Sequence, residues 1–429
     1  MPRPATSDLD IRLGMEMYAT DVNGVGGVLK SKLDDFIVKE LLEVSEKRDG
    51  DYVLALVEKR GIDTFAAARL LAKRLKVPAW RVSFAGLKDS SALAFQYFSI
   101  NGVKVDEVKG LDLGSVKVIS AEPFDRALKG SMIRGNDFYV TLRRIALSPA
   151  EALSRTRLII AQLLSYGGPP NYYGYQRFGS RRSNTHIVGR LLLESRFKEA
   201  FEEFVFHPYP WEGEAAKRAR ETRDVKEALR LMPRQFTYER TLLRYLDRHP
   251  GRYEEAFKRL PLRLLRLMVE AYQAYLFNKA LSERMRRIPR FNEPVEGDYV
   301  LAYGRSWRVK KSCDLEKASS LVKSKRAYVA MPLPSPELAH AESVPFLEDV
   351  LRAEGLELSH LPNPPDPCLK LKASLRTVVA PSSSIMVSVV GRENDETYIS
   401  LRFRLSRGCY ATSLLREIVK PSDPVVAGF

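Results

Sequence analysis

The stretch Gly167-Gly168-Pro169-Pro170-Asn171-Tyr172-Tyr173-Gly174-Tyr175-Gln176-Arg177-Phe178-Gly179 divides the chain. Two glycines and two prolines stop the helix that the pattern of Ala150 to Tyr166 predicts, since glycine favours no helical conformation and proline has no amide hydrogen to continue one. Before this breaker the chain is rich in strand signals. Phe36 and Val38 alternate against Ile37 and Lys39, Tyr52 to Val57 reads as a strand, and Phe138, Val140 and Leu142 alternate with Tyr139 and Thr141. Asp63 and Thr64 supply an N-cap for a helix through Leu75 whose Phe65, Ala68, Leu71 and Leu75 share a face. A short strand, Arg81 to Ala85, precedes Gly86-Leu87-Lys88-Asp89, and Phe95 to Ile100 resumes as a strand.

Beyond the breaker, Ser183 to about Glu283 is helical and basic, Gly297 to Val329 is strand-like, and Pro332 to Pro367 is a helix held between loops. Ser384 to Val390 and Thr397 to Leu405 form a hairpin around Glu393-Asn394-Asp395, and a last helix runs from about Thr412 to Lys420, before Pro421. Strand-rich ends around a helical middle describe an α+β chain in which the middle is inserted into a loop. A tandem of two domains would read similarly.

The 69 Lys and Arg outnumber the 53 Asp and Glu, and a net charge of +16 attracts polyanions, of which nucleic acid is the commonest. The bland reading is a solvated basic surface. Three cysteines and five histidines lie scattered without zinc or disulfide spacing, so no metal is expected. Asp8, Asp10, Arg12, Glu16 and Asp21 interrupt any signal-peptide core, no apolar run approaches membrane length, and a cytoplasmic protein with no membrane partner is the expectation.

Four segments carry candidate chemistry. Asp89 follows a strand and a glycine, a placement suited to acting on a ligand, although local pattern favours an N-cap for a short helix after it. Lys88 beside it would favour its charged form. The aromatic-rich block after Pro170, with Arg177, Arg181 and Arg182, suits base stacking and phosphate pairing or, equally, a turn whose aromatics are core. In Gly135-Asn136-Asp137-Phe138 the Asn amide has the donor and acceptor to read a uracil edge, and Phe138 could cover its face; taken alone, a turn Asn and a core Phe explain them better. Gly408-Cys409-Tyr410-Ala411-Thr412-Ser413 opens the last helix, either near a phosphate or as a simple cap.

In this order the segments resemble the TruD family of pseudouridine synthases. The family's GxKD followed by A-x-x-x-Q is matched by Gly86, Lys88, Asp89, Ala92 and Gln96, and its PN-aromatic-aromatic-G-x-QRFG by Pro170 through Gly179. GN-x-F is matched by Gly135, Asn136 and Phe138, and G-x-aromatic-ATS-x-x-RE by Gly408, Tyr410, Ala411, Thr412, Ser413, Arg416 and Glu417, with Cys409-Tyr410 where Ser-Phe is common. Lys30, Asp35, Phe36 and Glu40 resemble the amino-terminal K-x5-F-x-V-x-E. The resemblance implies a catalytic domain with a mixed, mostly antiparallel sheet flanked by helices over residues 1–170 and 375–429, and a largely helical α/β insertion domain over 171–374. It implies Asp89 as the catalytic aspartate; Phe36, Asn136 and Tyr410 as contacts to the target nucleotide; Phe138 as an aromatic near the base; and Lys30 as a basic residue close by. The reaction it implies is the isomerisation of a uridine to pseudouridine in tRNA, at uridine-13, or in another structured RNA.

That reaction breaks the ribose–N1 bond, turns the uracil and rejoins it through C5, with no net gain or loss of electrons, so no cofactor is expected. The competing readings are a basic RNA-binding or RNA-chaperone protein with a vestigial site, and a methyltransferase. The second would need a nucleotide-cofactor loop, and no GxGxxG follows a predicted strand.

Overall fold

The computed structural model describes residues 1–43, 50–88, 90–179, 182–209, 212–302, 305–310, 312–340, 344–358, 361, 366, 369–382 and 384–429. They divide into two compact units, Val22–Pro169 with Ala380–Phe429, and Met1–Asp21 with Pro170–Val379.

The first unit is built on an eight-stranded sheet. Its strands are β1 (Phe36–Leu42), β2 (Tyr52–Arg60), β3 (Val82–Phe84), β4 (Leu93–Asn101), β5 (Val116–Phe124), β6 (Ile133–Ile145), β7 (Ile385–Glu393) and β8 (Glu396–Ser406). The order is β7-β8-β6-β1-β4-β2-β5, with β3 on β4. Only β1 and β4 run parallel; every other pairing is antiparallel. Asn394 and Asp395 turn the β7–β8 hairpin with φ of 50° and 62°, the left-handed pair that matches strand twist.

Three longer helices serve this sheet, and the single turn Val105–Val108 adds Val108 to its core. In α1 (Thr64–Arg74), Asp63 accepts the Ala66 amide at 2.9 Å, as the cap signal predicts. Its buried stripe is Thr64, Ala67, Ala68, Leu71 and Ala72, and Phe65 is 41% exposed instead of buried. Small residues at i, i+3, i+4, i+7 and i+8 let the helix lie close on the sheet, and that shifts the face away from Phe65. α2 (Pro149–Ser165) is capped by Ser148 and stops at Gly167, whose φ is 87°. α3 (Ala411–Val419) ends at Lys420, just before Pro421. The strand β5 has no counterpart among the elements expected from the sequence.

At the breaker, the Ala380 amide donates to the Pro169 carbonyl at 2.8 Å. Gly168 is required there, since a Cβ would stand 2.0 Å from the Ala380 carbonyl oxygen. In the second unit, Pro170 bridges to Val379. Outgoing and returning chain therefore run as neighbours, and the middle leaves and re-enters at one place.

The second unit is mainly helical around the 26-residue helix Leu262–Arg287, with a four-stranded sheet of Tyr299–Ala302, Arg305–Arg308, Tyr328–Pro332 and Leu375–Thr377. Inside the stretch expected to be strands lies a helix, Ser312–Lys323, because Leu315, Ala318 and Val322 recur at helical spacing. Met1–Asp21 packs with this unit: Asn278 Nδ2 donates to the Leu13 carbonyl at 3.0 Å, Ser282 Oγ to the Gly14 carbonyl at 2.7 Å, and Tyr175 Oη to Asp10 at 2.5 Å. Among the described residues no helix is long and apolar enough to cross a membrane.

His186 is buried here, stacked on Tyr275 at 4.9 Å and edge-on to Phe178 at 5.3 Å. Burial lowers its pKa to about 4, with the Glu354 carboxylate opposing and Arg12 adding to the shift. Its unfolded value is about 6.5, so between those limits the unfolded chain binds a proton that the folded chain refuses, and stability falls as pH falls. The expected loss across that window is about 3 kcal/mol. A thermal midpoint followed from pH 7 to 4 should drop more steeply in the wild type than in His186→Phe; equal slopes would remove His186 as the cause.

Candidate active site

Strand register gathers the site. On β1 and β6, Glu40 stands opposite Asn136, Val38 opposite Phe138 and Phe36 opposite Val140. On β6 and β8, Phe138 stands opposite Phe403 and Asn136 opposite Leu405. Alternation places all of these on one face. Phe138 stacks on Phe403 at 5.1 Å and meets Phe36 edge-on at 6.1 Å. The Lys30 ammonium lies 5.2 Å from the centre of the Phe36 ring, on a backbone turned to φ 55°. Tyr410, half-buried, is the N-cap residue of α3, a few residues after β8 ends.

The loop leaving β3 is tied down from four sides. Gln96 Nε2 donates to the Gly86 carbonyl at 2.6 Å, and Thr64 Oγ donates to Gln96 Oε1 at 3.0 Å. The Lys88 amide donates to the same Thr64 hydroxyl at 2.9 Å, and the buried Lys59 ammonium donates to the carbonyls of Ile62 and Lys88 at 2.8 and 3.3 Å. The Lys88 ammonium itself sits 2.9 Å from Glu40 Oε1 and donates to Asn136 Oδ1 at 2.6 Å. Glu40 Oε2 also accepts the Tyr97 amide at 3.1 Å. The Lys88 and Glu40 side chains are 7% and 0% exposed, so the pair lies within the protein.

This fixes the chemistry of Asn136. An ammonium only donates, so the amide oxygen must face Lys88 and the amide nitrogen is left as a donor. The sequence suggests that Asn136 reads both a donor and an acceptor of uracil; its acceptor is already engaged. The Lys88 charge is likewise shared between Glu40 and Asn136. Asp89 lies outside the described residues. Ser90 to Ala92 turn directly into β4, so the short helix of the N-cap alternative does not form.

The block after Pro170 is largely core. Tyr172, Tyr175 and Phe178 are buried, and the Arg376 guanidinium lies 3.9 Å from the centre of the Tyr173 ring while binding Asn171 Oδ1 at 2.7 Å. Arg177 pairs with Glu270 at 2.9 Å. Arg182 is ion-paired to Glu239 and, at 3.3 Å, to Glu212, with its guanidinium among the rings of Phe236, Tyr209 and Phe204. Arg181 lies outside the described residues. Sequence reasoning gives no role to Glu40, Lys59 or Lys88 in holding the loop. The available signal is Glu40, an acid on the apolar alternation of Phe36 and Val38, which a buried strand face tolerates only when paired. Among the described residues, no group of three or more His, Cys, Asp or Glu could hold a metal ion.

The family model for tRNA pseudouridine synthase D (TruD) matches residues 12–418. Archaeal proteins named "Probable tRNA pseudouridine synthase D" align over almost their whole length. The one from Methanosarcina acetivorans is 33% identical, covering 97% of this chain and 98% of its own, and the one from Thermococcus gammatolerans is 35% identical, covering 94% and 97%. A crystal structure from Methanosarcina mazei, described as a tRNA pseudouridine synthase D (TruD), superposes with a TM-score of 0.81 at 31% identity, covering 97% of this chain and 98% of that one.

Removing one partner of a buried ion pair leaves the other uncompensated. Glu40→Ala is therefore expected to cost about 3–5 kcal/mol in chemical denaturation, and the apolar double variant Glu40→Leu/Lys88→Met to recover most of it. A double variant no more stable than the single one would show that the uncompensated charge is not the source of the loss.

Proposed function

Because the chain belongs to the TruD family of tRNA pseudouridine synthases, we propose that it isomerises one uridine of a tRNA, uridine-13, with Asp89 as the nucleophile. The observation that supports this reading best is the anchoring of Lys88, the residue before Asp89, onto Glu40 and Asn136 beside the Phe36–Phe138–Phe403 layer. The loop carrying the nucleophile is thus joined to the residues assigned to the nucleotide.

The chemistry follows from these parts. The uridine leaves its stack, at a cost of a few kcal/mol that contacts elsewhere on the RNA must offset. The Asp89 carboxylate adds to the nucleotide, the ribose–N1 bond breaks, and the freed uracil turns until C5 faces the ribose carbon. The carboxylate then departs as the C5 bond forms, the C5 proton leaves and N1 takes up a proton, so reactant and product have the same composition. While it turns, the uracil must be kept from escaping. Half-buried Tyr410 offers aromatic surface and the buried Phe36 and Phe138 form an apolar layer beside Asn136, whose Nδ2 offers an N–H to a carbonyl oxygen, which is where charge grows when N1 is released. Lys30, beside Phe36, adds positive charge close by.

The arginines divide under this reading. Arg177, half-buried and paired with a half-exposed Glu270, remains a candidate RNA contact, as does Arg181. Arg182 is better explained by its two carboxylates and three rings, as a support of the inserted unit.

The test is pseudouridine mapping on unmodified tRNA transcripts by carbodiimide-dependent primer-extension stops, with chelator present. The wild type should give a stop at position 13 and Asp89→Ala none. Asn136→Asp keeps an oxygen for Lys88 but replaces the donor with a charged acceptor; it should react about 100-fold or more slowly, at least the scale of a lost transition-state donor. An active Asp89→Ala would overturn the nucleophile, and a fully active Asn136→Asp would overturn the donor. Tight tRNA binding with no modified uridine would favour an RNA-binding protein with a vestigial site.

A further inference from the structure

One surface of the sheet-based unit has no part in the site above, and its composition is one-sided. From Thr64 to Val82 the chain carries Arg69, Lys73, Arg74, Lys76 and Arg81 and no acidic residue. The helix α1 turns its small residues to the sheet, which leaves Phe65, Arg69, Leu70, Lys73 and Arg74 facing solvent. Phe65, Arg69 and Lys73 follow one another at i, i+4 and i+8, a ridge about 12 Å long. By contrast, Arg182, Arg220 and Arg284 are taken up by carboxylates. Among the described residues none of Arg69, Lys73, Arg74 and Lys76 has a carboxylate at ion-pair distance. Beyond the helix, Trp80 is 74% exposed, the most of any large hydrophobic residue in the described chain, and the Arg81 guanidinium lies 5.3 Å from its ring centre.

An indole at that exposure contributes little to folding, and four uncompensated cations on one short segment repel one another. Neither is explained by stability. Both are explained by a polyanion that also presents flat aromatic faces. The surface also begins at the proposed site. Thr64, the first residue of α1, holds the Lys88 amide, so the ridge extends from the anchor of the Asp89 loop.

Building on the isomerase reading, we propose that the outer face of α1 and Trp80 form a track for the substrate RNA strand flanking the target uridine, with Arg69, Lys73, Arg74 and Lys76 on phosphates and an unpaired base stacked on Trp80. The charges offset part of the cost of extruding the uridine, and the indole gives the displaced neighbour a surface to stack on.

The experiment is tRNA binding by the full-length protein as a function of salt. In Arg69→Gln/Lys73→Gln/Arg74→Gln, Kd should rise at least tenfold at moderate salt, and the slope of log K against log salt should become shallower by about 2–3, one for each phosphate left without its cation. Glutamine keeps helix propensity, so folding is preserved. Trp80→Ala should weaken binding fivefold or more with the slope unchanged, Trp80→Phe should retain most of the affinity, and tRNA should quench the wild-type tryptophan emission more than that of Trp80→Phe. Wild-type affinity and salt slope in the triple variant, together with unchanged binding by Trp80→Ala, would overturn the track. Pseudouridine mapping of the wild type separates the two claims: absence of any stop beside a patch-dependent Kd would sink the isomerase and leave the surface standing.

Discussion

A carboxylate on the inner face of a central strand must be matched, and the match for Glu40 organises the sheet-based unit. Its partner, Lys88, comes from a loop and not from a neighbouring strand, so satisfying the charge also fixes where that loop lies. The same ammonium takes the Asn136 oxygen, and the same loop backbone is held by Thr64, Gln96 and Lys59. Desolvated charges of this kind contribute little net stability compared with apolar side chains. What they supply is a constraint on position: the observed loop gives Lys88 a carboxylate and an amide oxygen while placing its backbone N–H on Thr64.

Much of this fold is legible in the sequence alone, and the reasons are local. Alternation in Phe138 to Leu142, the Asp63 cap, the Asn394-Asp395 turn and the Gly-Gly-Pro-Pro stop each encode their geometry within a few residues, and each forms as read. The failures have longer-range causes. Phe65 reads as part of the buried stripe because it is apolar, whereas the sheet selects the alanines that let the helix approach. Met1–Asp21 packs against Asn278 and Ser282, more than 250 residues away, a partnership no window of sequence displays. Ser312–Lys323 is hidden because basic residues around it suggest exposed strands more loudly than three apolar positions suggest a helix.

The candidate site divides in the same way. Phe36, Asn136 and Phe138 are legible from the ordered motifs, and β-register brings them to one face. The direction of the Asn136 amide is not, because it depends on a lysine 48 residues earlier in the chain. Arg182 shows the opposite case. A run of arginines beside tyrosines reads as an RNA contact, yet its carboxylate Glu239 arrives from 57 residues downstream and converts the charge into structure. Composition counts cations; only the fold says which of them have already been neutralised.

That distinction bears on how an enzyme with a net charge of +16 finds one nucleotide in a folded RNA. Cations paired within the protein add little to the field a polyanion meets, so the attractive potential comes from the unpaired ones, and their placement matters more than their number. The α1 ridge is such a set, and its helix shares Thr64 with the loop that precedes Asp89. The same hydroxyl accepts the Lys88 amide and donates to Gln96, so α1 is tied to the loop through two hydrogen bonds. If α1 carries the substrate strand and Asp89 is the nucleophile, as proposed above, binding and chemistry meet at one side chain, Thr64.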